Sequence, residues 1–366
     1  MPSTLFSPLD LRRLTVPNRI TVAPMCQYQA EDGVPNEWHL VHLGQFAQSG
    51  AGLIFTEATG VEPEGRITPG CTGLYDDATE AAFARIVAFM KSVGQSKVGI
   101  QLGHSGRKGS TVAPWEGGGL IEGEGAWQTE CASPVPYLPG WPEPREMDAK
   151  AIARVTRAFA DAARRADRAG FDAIELHVAH GYLLHQFVSP ITNQRTDGYG
   201  GTLENRIRFP LEVFEAVRVV FPSDKPILVR LSATDWIEGG WDIEQSVVFC
   251  RALRELGCDM IDVSSGGLDQ RQKISVGPGY QVGFAAQIRR EADIPTMAVG
   301  QITEPIQAET IVSTGQADMV ALARGMLWDP RWVWRAAVAL EEEIALPAPY
   351  ARCNPALRST PFVKRT

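Results

Sequence analysis

Short runs of Val, Ile, Leu and Met recur along the chain, each followed by a longer stretch whose apolar residues return every three or four positions. Eight such runs read as strands: residues 20–23, 53–58, 98–102, 173–177, 227–231, 260–263, 296–299 and 319–321. Their side chains are apolar in succession rather than in alternation, which predicts parallel strands buried on both faces. The intervening stretches predict helices. Between 151 and 169, Ile152, Val155, Phe159, Ala162 and Ala166 share one helical face, while Arg154, Arg157, Asp161, Arg164 and Arg165 take the others. Asp148 is placed to cap its start and Gly170 to end it.

Eight β/α units predict an α/β fold, a (β/α)8 TIM barrel. A length of 366 residues would allow two or three average domains, but a barrel holds it as one. A doubly wound sheet fits less well, because the first run is not followed by G-x-G-x-x-G and no Walker A loop occurs. An N-terminal hairpin is expected ahead of the first barrel strand. Two stretches fall outside the units. Residues 104–147, rich in Gly and Pro and carrying Trp115, Trp127 and Trp141, read as a lid-like insertion after strand 3. Residues 347–366, with four prolines and a basic end, read as an extended C-terminal tail beyond a single barrel unit of residues 1–346.

Composition narrows the functional classes. With 44% hydrophobic and 21% charged residues the chain is neither disordered nor collagen-like. A net charge of −8 argues against a nucleic-acid partner. No apolar run of about 18 residues offers a membrane span. The first 16 residues carry no apolar leader and no Asn-x-Ser/Thr site occurs, so a cytoplasmic protein is expected. The six cysteines include no C-x-x-C pair, which favours free thiols over a zinc or iron–sulfur site.

In such barrels the chemistry sits at the carboxyl ends of the strands. The first run leads into Ala23-Pro24-Met25-Cys26-Gln27-Tyr28, where a thiol and a phenol either face one pocket or pack as core. The third reaches Gln101, an amide able to read a heterocycle, followed by His104, Arg107 and Lys108. The fourth leads into His177, His180 and Tyr182. This cluster has three readings. One is zinc binding, weak without the Glu of a metalloprotease motif. Another is a pair of donors for a developing oxyanion with Tyr182 as general acid. The last is core histidines satisfied by backbone. Arg230 in the fifth run calls for an anionic partner. Gly300-Gln301 and Arg324-Gly325 follow the seventh and eighth runs, where this fold often binds phosphate. No strong nucleophile–base pair stands among these residues, which suits a bound cofactor that carries the chemistry itself.

Dense motifs carry a family resemblance. They include Asn18-Arg19-Ile20, Trp38-His39-Leu40-Val41-His42-Leu43, Glu64-Gly65-Arg66-Ile67 and Gln101-Leu102-Gly103-His104-Ser105-Gly106-Arg107-Lys108. Further on come Glu175 to Leu183, and Asn193-Gln194-Arg195-Thr196-Asp197-Gly198-Tyr199-Gly200-Gly201. From Leu5 to about Arg352 the chain resembles the old yellow enzyme family of flavin-dependent ene reductases, in its thermophilic-like, xenobiotic reductase subclass. The resemblance implies non-covalent FMN, reduced by NADPH or NADH, that passes hydride to the activated C=C bond of an α,β-unsaturated carbonyl or nitro compound. Ala23, Pro24, Met25, Cys26, Gly60, Gln101 and Arg230 would meet the isoalloxazine. Gly300, Gln301, Ala323 and Arg324 would hold the phosphate. His177 and His180 would bind the substrate oxygen, Tyr182 would give the proton, and Cys26 and Tyr28 would line the pocket. No metal is implied. A homodimer or homotetramer is, with Arg352 a candidate to reach a neighbouring active site. Gly60 and Ala323 stand where the subclass often has Ala and Gly, and Cys353 stands where xenobiotic reductases have Trp.

Overall fold

The computed structural model of the protein describes residues 2–353. The expected hairpin pairs β1 (Leu9–Leu11) with β2 (Leu14–Val16). Eight parallel strands then close a barrel: β3 (Ile20–Val22), β4 (Leu53–Gly60), β5 (Lys97–Gly103), β8 (Ala173–Val178), β9 (Ile227–Ser232), β10 (Met260–Ser264), β11 (Thr296–Val299) and β12 (Met319–Leu322), the last beside the first. All eight lie where the apolar runs predict them. The remaining two, β6 (Glu130–Cys131) and β7 (Arg145–Glu146), pair within the insertion.

Ten helices accompany the strands: α1 (Glu37–Ala47), α2 (Asp77–Val93), α3 (Ala149–Arg168), α4 (Leu183–Val188), α5 (Leu203–Val220), α6 (Ile243–Glu255), α7 (Val282–Ala292), α8 (Pro305–Ser313), α9 (Arg324–Trp328) and α10 (Trp332–Ala339), a count of the described residues. Helix α3 shows the local logic. The Asp148 carboxylate accepts the Ala151 amide at 2.8 Å, the five predicted apolar residues are buried, and Gly170 turns the chain at φ +89°. Strand β8 begins three residues later.

Most of the core lies between the strands and the helical ring. A second cluster fills the barrel interior, where Leu53, Phe55, Leu228, Met260, Met297 and Met319 meet Leu11 and Val16 of the hairpin. Gly99 is required there, because a Cβ would stand 2.4 Å from the Phe55 ring. Toward the carboxyl ends the interior turns polar, and that change marks the site.

The insertion after β5 is stapled down at its base. Arg195, in the Asn193–Gly201 motif, donates to the carbonyls of Ala132 and Met147, both at 2.9 Å, and pairs with Asp197. The motif is thus knitted by its own side chains and also ties the insertion to the barrel. The described part of the tail ends in a 3-10 helix, Ala348–Cys353, held by Tyr350 against Trp334 with the Arg331 guanidinium over both rings. Residues 354–366 lie outside the described structure.

Candidate active site

The turn after β8 builds the centre of the site. His180 and Gly181 both adopt left-handed backbone, at φ +58° and +76°, which folds the chain back on itself. The His177 ring then lies edge-on to His180 at 5.1 Å and to Tyr182 at 4.9 Å. His177 Nδ1 accepts the Ala179 amide at 3.2 Å, so in the neutral ring Nε2 carries the hydrogen. His180 Nε2 lies 2.8 Å from Ser264 Oγ on β10. Burial, reinforced by the Arg230 charge, pushes both imidazoles well below their ordinary pKa. Both are neutral near pH 7. Burial likewise pushes the Tyr182 phenol up, keeping its proton in place.

Lys108 locks this turn. Its Nζ donates to the carbonyls of His180 at 2.8 Å and Gly267 at 2.9 Å. It also faces the rings of Tyr182 and Tyr137, at 5.0 and 4.8 Å. Burial, and then repulsion from Arg107, lowers its pKa to about 7.

The segment after β3 forms another wall. Cys26 is half-buried, and burial holds its thiol well above the usual pKa, so it is a neutral thiol and not a thiolate. Tyr28, at φ +53°, meets Trp115 of the insertion edge-on at 5.7 Å. The insertion therefore reaches the pocket wall through this pair. Glu57 of β4 accepts the Gln27 amide at 3.1 Å and faces His39, fixing the segment from behind.

Below lies a buried polar layer. Gln101 donates to Glu175 at 2.7 Å, and Arg230 Nε lies 3.3 Å from Asp262. Around the rim, Gly300 takes φ +125° and Gln301 +49°, followed in sequence by Ala323 and an exposed Arg324. The Tyr280 ring, against which a Gly300 Cβ would stand at 3.0 Å, is within the electrostatic reach of both Arg324 and Arg230.

This donor set fits FMN. An exposed cation and glycine backbone suit a phosphate, and a buried guanidinium whose Nε has no hydrogen-bond partner, beside an amide, suits the edge of a flavin ring. Arg352 is not brought to this site within its own chain. It follows residues 343–348, which line a cleft with Asn18, Gly50 and Ser96 at the amino ends of the strands.

Among the described residues, His177 and His180 do not gather a third metal-like ligand. The convergent set is Glu62, His104 and Glu130, and Arg154 already pairs with both carboxylates. Glu175, Asp262 and Ser264 are absent from the site residues expected from sequence, although Glu175 opens one of the quoted motifs. For Glu175 and Asp262 the signal is nonetheless present, as acidic residues inside otherwise apolar strand runs.

Comparison with known proteins follows the same line. Residues 4–343 match the model of the NADH:flavin oxidoreductase / NADH oxidase family. An NADPH dehydrogenase of Geobacillus thermodenitrificans is 43% identical over 358 residues, covering 96% of this chain and 99% of that protein. An NADPH dehydrogenase of Bacillus subtilis is 42% identical over 354 residues, with the same coverage. The structure of morphinone reductase superposes with a TM-score of 0.77 at 29% identity, covering 95% of this chain and 92% of that one. The chain is a flavin-dependent oxidoreductase of the barrel type and belongs to the NADH:flavin oxidoreductase / NADH oxidase family.

Proposed function

We propose that the protein is an FMN-dependent NAD(P)H:ene oxidoreductase acting on α,β-unsaturated carbonyl or nitro compounds. The carrying observation is that His177 meets both His180 and Tyr182 edge-on, gathering two imidazoles and a phenol in one cluster. When bound, FMN would supply the hydride chemistry between NAD(P)H and the activated C=C bond. Ala23, Pro24, Met25, Cys26, Gly60, Gln101 and Arg230 would hold its ring, and Gly300, Gln301, Ala323 and Arg324 its phosphate.

The chain's own residues do the rest. His177 offers Nε2–H to the carbonyl or nitro oxygen, because its Nδ1 is already engaged. His180 would provide the second donor. Neutral donors stabilise charge that grows on that oxygen without fixing a full ion pair in the ground state. Tyr182 holds a phenolic proton for the α-carbon, and Lys108 keeps the turn that presents it. Cys26 and Tyr28 would line the substrate side, and Arg352 would reach a neighbouring subunit's active site. The same reading makes the protein a cytoplasmic homodimer or homotetramer in which residues 1–346 bind FMN and residues 347–366 serve contacts between subunits.

The visible spectrum of the purified protein tests this reading. Flavin absorbance should bleach with NAD(P)H under anaerobic conditions and return on addition of a cyclic enone. Colourless protein that takes up no FMN, or reduced flavin that no enone or nitroalkene reoxidises, would sink it.

A further inference from the structure

Two carboxylates lie at zero exposure beneath the flavin site, with a single guanidinium beside them. Glu175 on β8 and Asp262 on β10 flank β9, where Arg230 registers with both His177 and Asp262. One Glu175 oxygen accepts from Gln101. The other, Oε2, faces Asp262, and neither it nor either Asp262 oxygen has a donor within hydrogen-bonding geometry. Arg230 Nε approaches Asp262 at 3.3 Å without forming a hydrogen bond. Acceptors buried face to face without a donor cost free energy that one shared proton removes.

We propose that Glu175 and Asp262 hold one proton between them, so that the pair carries a single negative charge that Arg230 balances. Glu175 is then a positioning residue. It donates to Asp262 through the shared proton and keeps Arg230 from being outweighed by two carboxylates. The layer is electrically neutral under the bound flavin, and charge added on flavin reduction meets no net anion there.

The charged groups that bear on Glu175 are Asp262 from β10 and Arg230 from β9, and β5 contributes only the neutral Gln101 amide. Burial, and then repulsion between the two carboxylates, favours the protonated form of Glu175. The same arrangement cannot ionise both carboxyls cheaply.

The inference rests on FMN lying against Arg230, as in the reading above, and not on which substrate follows. Charge counting makes it testable in the FMN-loaded protein with a chemical reductant. Glu175→Gln leaves Asp262 as the one anion, and Asp262→Asn leaves Glu175 as the one anion. Each single variant should therefore keep the flavin midpoint potential within 30 mV of wild type, the equivalent of a tenfold change for two electrons. The double variant leaves Arg230 unbalanced and should raise the potential beyond that limit. If the wild type carried two anions instead, each single variant would raise the potential by itself, and the proposal would fall.

Infrared spectroscopy gives a second readout that needs no variant to fold. The reduced-minus-oxidised spectrum of the wild type should contain a protonated carboxyl stretch that shifts in D2O. Its absence overturns the proposal, as does its persistence in Glu175→Gln. Protein that shows the band but reduces no alkene retains the shared proton and loses only the proposed function.

Discussion

Tyr182 owes its position to two neighbours that never touch a reacting atom. Gly181 supplies the left-handed turn, and Lys108 bonds the His180 carbonyl. In the proposed reaction Tyr182→Phe removes the proton donor and leaves the ring packed against His177. Reoxidation of reduced flavin by an enone should slow about 10²–10⁴-fold, while reduction by NADPH stays near wild type. Stopped-flow measurement of the two half-reactions separates these outcomes, and equal losses in both would show that Tyr182 is not specifically the acid. Gly181→Ala tests the turn. A Cβ there would stand 2.6 Å from the Gly267 carbonyl oxygen, at a φ of +76° that alanine rarely adopts. We expect a loss of about 1–3 kcal/mol in urea unfolding, with alkene reduction impaired as His180 and Tyr182 are displaced.

The same contrast between local and distant contacts decides what can be read from sequence at the scale of elements. The eight strands are legible because parallel barrel strands are buried on both faces and become continuous apolar runs. Their helices are legible where Asp148 and Gly170 mark the ends. The His177–Tyr182 cluster is legible because six consecutive residues contain it. Lys108 is bound to His180 and Gly267, 72 and 159 residues away, and no local pattern encodes that. The insertion is legible from its Gly and Pro content, but its staples are not, for a related reason: they come from α3 and from the Asn193–Gly201 motif. Glu62 and Glu130 pair with Arg154 of α3, tying β6 and the end of β4 to that helix. Burial raises the Glu62 pKa, but hydrogen bonds from His104 and Arg154 overcome this and hold it at about 2. Its unfolded value is 4.5, so the contribution to stability is complete above pH 4.5 and is lost as pH falls toward 2. Glu62→Gln should cost on the order of 3 kcal/mol at pH 7. That difference should shrink between pH 4.5 and 2 in denaturant titrations. A pH-independent difference would assign the loss to packing. His42 acts over a separate window. Burial, and then His39, lowers its pKa to about 4, so the wild type already loses stability as pH falls from 6.5 to 4.

At the scale of the whole molecule, a net charge of −8 surrounds a barrel mouth lined by Arg230, Arg324 and Lys108. The overall sign says nothing about the cofactor, because binding energy depends on charges within a few ångströms. Arg324 isolates this local effect. It is exposed, so replacing it should leave the protein without FMN as stable as before. A charged hydrogen bond to phosphate is worth about 1.5–3 kcal/mol, so Arg324→Ala should weaken FMN binding roughly 10- to 100-fold. Ligand linkage carries that loss into the stability of the whole fold. At free FMN 100 times the wild-type Kd, the wild type gains about 2.7 kcal/mol, and the variant at the same FMN should gain about 0.4–1.4 kcal/mol. Thermal melts of both proteins across an FMN series measure the gain directly. Parallel curves with a lower starting Tm for the variant would mean that Arg324 supports the fold and does not hold the phosphate.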